Sequence, residues 1–322
     1  MILKKRNKII AAALIIVSVS VGFGSGSSKA AQANRSGITV SPFLQTVQIG
    51  SEASKDFNIT YTNESSQPQK LALSVADFGS LDQSGGVAFV GNASGRIINK
   101  HILSPWLSLS ANEITLTSHQ KTAVTATILN DSGMGPGGHY AAVIATVLAP
   151  DSSDKNQVSL KQKITSLVFA VKTGGEKYDL KLQNIDSNRR LFKLPSEVDI
   201  TIRATGNTHV VPRGIVYLKN KSGRVIARGV INQESGYVLP DSTRIFRVQL
   251  NKIAPAKLWD TTYSLQVDYR YDGIDKFATK TTSIHYINLP VILVLILLLT
   301  GVIYFIARNM RQKQKTVADK HK

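Results

Sequence analysis

The sequence contains no cysteine, only two tryptophans, and 21 acidic residues against 39 basic ones. The absence of cysteine excludes disulfides, cysteine-ligated zinc and thiol nucleophiles, so any stability must come from apolar cores. Exported animal domains usually carry disulfides, so a cysteine-free chain that is exported fits a bacterial surface better. The few acidic residues show no spacing that nominates two carboxylates as an acid–base pair.

A long apolar run stands near each end of the chain. The first run, Ile9–Val21, follows a basic patch and precedes the small residues Ala31-Gln32-Ala33. The order of basic patch, apolar run and A-x-A site predicts a cleavable signal peptide over residues 1–33.

The second apolar run predicts a transmembrane helix over residues 287–307, since about 20 apolar residues cross the hydrocarbon core. A basic tail, residues 308–322, follows directly and predicts a cytoplasmic C-terminus. We therefore expect a single-pass type I protein of the cell membrane, with residues 34–286 as an extracellular ectodomain.

The formal net charge of +18 is largely explained by this topology. The signal segment and the tail each carry +5, which leaves +8 on the ectodomain and favours an anionic wall polymer over nucleic acid as a partner. The alternative is a solvated basic surface that only keeps the domain soluble. The candidate residues for binding an anionic polymer are Arg189, Arg190, Lys193, Arg203, Arg213, Lys219, Lys221, Arg224 and Arg228.

Short runs with alternating or continuous apolar residues fill the ectodomain, separated by turn-forming residues, and no long segment shows helical periodicity. This pattern predicts β-strands at Ile38–Val40, Phe57–Tyr61, Leu71–Val75, Thr122–Ile128, Ala141–Leu148, Ile164–Val171, Tyr178–Ile185, Val198–Ala204, Gly214–Leu218, Val225–Val230, Ile245–Leu250, Tyr263–Tyr271 and Phe277–Tyr286.

A polar break at Lys172–Lys177 divides this series. We expect an all-β ectodomain of two tandem immunoglobulin-like β-sandwiches, residues 34–173 and 174–286, followed by the transmembrane helix. The segment Leu81–Leu103 is the least regular part and is interpreted as an insertion or long loop. Each sandwich holds one tryptophan, Trp106 or Trp259, which is expected to plug the core or its edge; an exposed stacking surface is the alternative.

The remaining motifs are interpreted as structural. Gly133–Gly138 lacks the lysine of a phosphate loop and predicts a turn into the Tyr140 strand. The six histidines are scattered, with no metal-binding pair, and no G-x-S-x-G elbow occurs in the ectodomain, so we expect no enzyme, cofactor or metal site. Asp82, Asp131, Asp151 and Asp154 are interpreted as turn residues, with calcium at a loop as the alternative. N-x-S/T sequons begin at Asn34, Asn58, Asn63, Asn92, Asn130 and Asn220. They are interpreted as coincidence in a bacterial chain, with glycosylation in a eukaryotic secretory route as the alternative.

Several of these segments together resemble a known family. Ile38-Thr39-Val40-Ser41-Pro42 opens the first domain, Trp106-Leu107-Ser108-Leu109 follows, and Pro136-Gly137-Gly138-His139-Tyr140 leads into a strand. Their order resembles the first domain of WxL-interacting surface proteins of Gram-positive bacteria and, more distantly, pilus-chaperone-type sandwiches. The resemblance implies a first domain associated with peptidoglycan and a second associated with a protein partner.

The function that follows is a non-catalytic, membrane-anchored bacterial surface protein that binds cell-wall polymer or an exported surface protein. The alternative is a membrane-tethered chaperone or assembly factor that pairs a sheet edge with an exported subunit. An envelope-remodelling enzyme is a third, weaker hypothesis.

Overall fold

The computed structural model describes residues 37–89, 99–148, 162–187, 192–257 and 259–320, with side chains up to residue 310. The architecture is all-β with one C-terminal helix, which confirms the predicted fold class. The predicted signal peptide lies outside the described residues.

Ten strands form the first sandwich. They are β1 (Ile38–Ser41), β2 (Leu44–Ile49), β3 (Ser54–Asn63), β4 (Gln69–Ser80), β5 (Val87–Phe89), β6 (Leu107–Leu109), β7 (Glu113–Leu116), β8 (Lys121–Leu129), β9 (Gly137–Leu148) and β10 (Lys163–Lys172). One sheet has the order β1-β3-β8-β6. The other has the order β2-β10-β9-β4-β5, with β7 also pairing with β4.

Eight strands form the second sandwich. They are β11 (Leu180–Asp186), β12 (Glu197–Ala204), β13 (Arg213–Asn220), β14 (Val225–Ile231), β15 (Thr243–Gln249), β16 (Asn251–Lys252), β17 (Thr262–Arg270) and β18 (Ala278–His285). A three-stranded sheet has the order β11-β12-β15, and a five-stranded sheet has the order β16-β14-β13-β17-β18.

Side-chain alternation explains why these runs form sandwiches. Along β12, every second residue from Val198 to Ala204 is buried and the intervening residues face outwards. β9 instead buries seven consecutive residues from its start, because its first part is covered on both faces. Each sandwich has its own apolar core, around Tyr61 in the first and Tyr263 in the second. Each predicted run overlaps an observed strand.

The first chain segment crosses from one sheet to the other. β1 pairs antiparallel with β3, whereas β2 pairs in parallel with β10. Pro42 stands between them, and its missing N–H cannot continue a ladder. β2 was not predicted from the sequence.

The irregular segment Leu81–Leu103 contains β5 and a short 3₁₀ turn at Asn99–His101, and residues 90–98 lie outside the described parts. Its far end is anchored by the buried carboxylate of Asp77. That carboxylate accepts hydrogen bonds of 2.7 Å from the backbone N–H groups of Leu103 and Ser104.

One of the two core predictions for tryptophan is wrong. Trp106 packs against the edge of the first core and contacts His139 edge-on, with 5.7 Å between ring centroids. Trp259 is 74% exposed and is not part of the core of the second sandwich. The core position that it was expected to fill is instead occupied by aliphatic side chains from both sheets and by Tyr263.

Several predicted turn residues close turns with their own side chains. Asp82 and Asp131 accept bonds from the backbone N–H groups of the residues two positions ahead. Among the sequons, Asn63 and Asn220 are buried and bind Ser65 and Ser222 through their side-chain oxygens. These two N-x-S sequences are therefore strand-end turns. Asp151, Asp154, Asn34 and Asn92 lie outside the described residues.

The chain ends in α1 (Leu289–Lys320). Within the described residues, its segment Leu289–Met310 is the one helix long and apolar enough to cross a membrane, with 22 residues and a mean hydropathy of 2.9. None of this segment is buried against the rest of the protein. At 1.5 Å per residue the segment is about 33 Å long, enough for the hydrocarbon core.

Candidate binding cleft

The two sandwiches meet through a cluster of aromatic rings. Phe169 on β10 is central: its ring centroid lies 5.2 Å from that of Tyr140, 5.1 Å from His209 and 4.9 Å from Tyr237. Phe78 adds a further ring from β4. Since His209 and Tyr237 belong to the second sandwich, this cluster buries apolar surface from both.

A buried hydrogen-bond pair lies within this aromatic cluster. The hydroxyl of Tyr140 accepts a bond of 3.0 Å from the backbone N–H of His209 and donates one of 3.2 Å to His209 Nδ1. Burial lowers the pKa of His209 to about 4 and raises the pKa of Tyr140. Both groups are therefore neutral at neutral pH, and their hydrogen bonds need no counter-charge.

The glycine-rich turn makes a second contact between the sandwiches. Gly137 has φ of 116°, and a Cβ there would lie 2.7 Å from the carbonyl oxygen of Asn207. The N–H of Gly138 donates to that same carbonyl at 2.8 Å, while Asn207 Nδ2 donates to the Pro136 carbonyl at 3.1 Å. The structure confirms the predicted turn, and shows that it brings the backbone of the first sandwich against the second.

The β4–β5 connection makes a third contact. The N–H of Ile245 on β15 donates to the carbonyl of Gln83 at 2.8 Å. Lys100, in the 3₁₀ turn after β5, forms an ion pair of 2.6 Å with Asp241, in the turn before β15. The β4–β5 connection therefore rests on the edge strand of the second sandwich, and it forms one wall of a cleft.

The cleft has a volume of about 850 Å³ and lies between the β4–β5 connection and β15. Tyr140, Phe78 and Leu239 line its floor, and Asp82–Ser84 form one side. On the other side Asp199 and Arg247 form a bidentate pair, with both N–O distances at 2.9 Å.

His101 supplies an unpaired acceptor in the cleft. Its Nδ1 lies 2.8 Å from the carbonyl oxygen of Gly138, so Nδ1 carries the proton. Its Nε2 is buried, forms no hydrogen bond with any described residue, and lies 3.9 Å from Asp241 Oδ2, too far for one. Burial is the main cause that lowers the pKa of His101. At neutral pH the ring is therefore neutral, and Nε2 is a buried acceptor on a residue that lines the cleft.

The serine hydroxyls that line the cleft form hydrogen bonds within the chain. The hydroxyls of Ser84 and Ser242 donate to Asp82 and to the Leu239 carbonyl, and neither forms a hydrogen bond with a histidine. No cluster of three metal-ligating side chains occurs in the described parts of the chain. His101 Nε2 and Asp241 Oδ2 together can accept bonds from one amide or ammonium group.

The nine basic candidates lie on several surfaces. Arg213, Lys219 and Arg228 share the outer face of the five-stranded sheet, where Arg213 pairs with Asp272 at 3.3 Å and Lys219 donates to Gln266 at 2.8 Å. Those on other surfaces are Arg203 on the three-stranded sheet, Lys221 and Arg224 in the β13–β14 turn, and Lys193 before β12. Arg189 and Arg190 lie outside the described residues.

The cleft residues were not identified from the sequence. His101, Tyr140, His209 and Asp241 are separated by up to 140 positions, and only the packing of two sandwiches brings them together. Their one sequence signal is that each stands close to a strand or turn rich in glycine, proline or aromatic residues.

Comparisons with known proteins return structures rather than families. No protein-family model matches the chain, and no curated protein matches it, so membership of the WxL-interacting family stays a prediction. Solved structures with a similar fold include the class 5 fimbriae chaperone CfaA, with a TM-score of 0.42 and 10% identity over 76% of this chain and 98% of that one.

Two further neighbours are complexes. The chaperone–tip adhesin complex of CFA/I fimbriae has a TM-score of 0.43 and 11% identity, over 76% of this chain and 97% of that one. The CsuC–CsuE pre-assembly complex of Acinetobacter baumannii has a TM-score of 0.38 and 11% identity, over the same shares of the two chains. At these identities and TM-scores the neighbours carry no argument about what this chain binds.

Proposed function

We propose that this chain is a non-catalytic, membrane-anchored bacterial surface protein that holds an extended segment of an exported protein in the cleft between its sandwiches. It acts in this role as a membrane-tethered assembly factor. The observation that carries the proposal is the composition of the cleft, which combines the β15 edge on either side of Ile245 with an unpaired buried acceptor.

The strand edge is that of β15. Thr243, Ile245 and Arg247 all line the cleft, and the N–H of Ile245 points away from β12 towards Gln83. Alternate residues of an antiparallel strand direct their backbone groups to the same edge, so Thr243 and Arg247 present theirs to the cleft as well. An extended peptide can pair with the backbone groups of Thr243 and Arg247 and gain affinity from main-chain hydrogen bonds. Where it reaches Ile245, it replaces the Gln83 carbonyl as the acceptor.

The unpaired acceptor gives the cleft a preference among peptides. A buried polar atom without a partner costs about 1–3 kcal/mol, and a ligand that supplies the missing bond recovers that cost. His101 Nε2 can only accept a hydrogen bond, and the nearby carboxylate of Asp241 is already paired with Lys100. We therefore expect the bound segment to place a neutral donor, such as an amide or a hydroxyl group, beside His101.

The anchor belongs to the same proposal. Leu289–Met310 spans the membrane, the sandwiches lie outside, and the basic end of the chain lies in the cytoplasm. Tethering keeps the cleft close to the membrane, where exported chains emerge. Electrostatic attachment to wall polymer through the basic candidates is the competing outcome of the tests.

The proposal is tested by filling the cleft. Ser84→Trp places a large side chain at the cleft wall, and Thr281→Trp places the same side chain on the outer face of β18. With full-length protein as bait in detergent-solubilised membranes, Ser84→Trp should capture the exported partner about tenfold less well than wild type, and Thr281→Trp should not. Equal capture by all three proteins would exclude the cleft as the binding site.

A further inference from the structure

The strand register places one end of the second sandwich beside the membrane helix. The last residue of β18, His285, pairs with Thr262, and the N–H of Tyr286 donates to the Thr261 carbonyl at 2.8 Å. α1 begins at Leu289. Four residue steps separate His285 from Leu289, and a chain extends at most about 3.6 Å per residue. This end of the sandwich therefore lies within about 14 Å of the start of the span.

Three loops lie at the same end. The first is the segment 253–261 that leads into β17, whose Ile253 N–H bonds to Ile226. The second is the β13–β14 turn, because Asn220 at the end of β13 pairs with Tyr263 near the start of β17. The third leads into β12, because Glu197 pairs with Gln249 at the end of β15. We call these loops together the membrane-proximal end.

Large apolar side chains are exposed on two of the three loops, the segment 253–261 and the loop that leads into β12. Trp259 is 74% exposed, Phe192 55% and Ile253 53%. Exposed residues of this size are costly to leave in water when they cluster at one end of a domain. The bilayer beside them offers burial without any further partner.

Basic side chains surround these apolar ones. Those that are exposed at the membrane-proximal end are Lys193, Lys221, Arg224 and Lys257. None of the four forms an ion pair with a described residue. The nearby carboxylates of Asp260 and Glu197 keep their charge and accept hydrogen bonds from the neutral amides of Asn220 and Gln249, at 2.9 and 3.1 Å. The end therefore carries four basic side chains on the same loops as its exposed aromatic rings.

We propose that the membrane-proximal end docks on the surface of an anionic bilayer, with Trp259 at headgroup depth and the basic side chains on lipid phosphates. The inference rests on the proposed span at Leu289–Met310. Tryptophan favours the membrane–water interface because its ring is amphipathic, and lysine and arginine are attracted to anionic lipid. Such docking fixes the tilt of the sandwiches, and so the direction in which the cleft faces.

The two tryptophans allow a direct test. In the full-length Trp106→Phe protein, Trp259 is the one remaining tryptophan of the chain. With this protein in nanodiscs, lipids brominated on the acyl chain near the headgroup quench tryptophan fluorescence at that depth. We expect Trp259 to be quenched, about twofold more strongly in phosphatidylcholine–phosphatidylglycerol discs than in phosphatidylcholine discs. The Trp259→Phe protein, which reports on Trp106, should show no quenching.

A matched pair of charge reversals tests the electrostatic part. Lys221→Glu with Arg224→Glu should abolish the extra quenching in anionic discs. Lys181→Glu with Arg203→Glu changes the net charge by the same amount, but on the three-stranded sheet of the same domain. This control pair should leave the extra quenching in anionic discs unchanged. If the protein remains in the discs and Trp259 is not quenched, the docking is overturned. If the protein does not remain with the discs, the membrane span itself is overturned. Neither readout involves the exported partner, so capture by the cleft can fail independently.

Discussion

At the scale of single residues, the two tryptophans show how similar sequence surroundings lead to different environments. Both stand beside runs of strand-like residues, and the sequence predicts a core role for each. Trp106 lies where a 3₁₀ turn meets β6, against the first core, whereas Trp259 stands in a loop at the end of a domain. Loop position depends on where strands begin and end, which alternation alone defines poorly.

The two side chains should therefore differ in their contribution to stability. Trp106→Ala removes contacts with the first core and should lower the free energy of unfolding by about 2 kcal/mol, less than for a fully buried ring. Trp259→Ala should change it by no more than about 0.5 kcal/mol. Urea unfolding followed by far-ultraviolet circular dichroism measures both. Equal losses would show that Trp259 is packed after all.

His209 should make stability depend on pH. The folded state keeps the ring neutral with a pKa of about 4, against 6.5 for the free side chain. Between these values the unfolded state binds more protons, so the free energy of unfolding rises with pH. The contribution of His209 to the free energy of unfolding is fully present above about pH 6.5. About 3 kcal/mol of it is lost by about pH 4.

The control for this prediction is His209→Asn, whose side chain can still accept a bond from Tyr140 but does not titrate in this range. Urea unfolding at several pH values should give a shallower slope for this variant than for wild type. Identical slopes would show that the ring is not buried in its neutral form.

At the scale of elements, the long internal strands were predictable and the short edge strands were not. β3, β8 and β12 are eight or more residues long and bury alternate residues over most of their length, so their sequence carries a clear signal. β5, β6 and β16 have three residues or fewer, and pairing with a longer neighbour defines them. The cleft lies partly on such elements and on loops, so sequence pattern could not place it.

The glycine-rich turn before β9 offers a test of how the elements meet. Gly137→Ala adds a Cβ against the Asn207 carbonyl at a positive φ and should destabilise the protein by about 2 kcal/mol. Gly135→Ala, two residues earlier, meets no atom within 4 Å and should be nearly neutral. Thermal unfolding of the pair distinguishes the two effects. A neutral Gly137→Ala would mean that this contact between the sandwiches is not maintained.

At the scale of the whole molecule, the aromatic cluster, the glycine-rich turn and the β4–β5 connection all join the two sandwiches. The independent folding of residues 178–286 remains a prediction, and those residues alone would expose Tyr237 and His209 to water. These contacts bring the two sandwiches together and so form the cleft, which is lined by residues of both. The basic candidates, in contrast, lie on several surfaces, and their proposed role in binding wall polymer remains a prediction.

The central claim is that the cleft holds an exported protein. Its most direct test is site-specific photo-crosslinking in intact cells, with a photoreactive phenylalanine analogue at Thr243 in the cleft and, as a control, at Thr281 on the outer face. The account predicts that Thr243 alone crosslinks to one exported protein, and that this persists as salt is raised from about 50 to about 500 mM. Crosslinks from both positions to wall polymer, lost as salt rises, would contradict it.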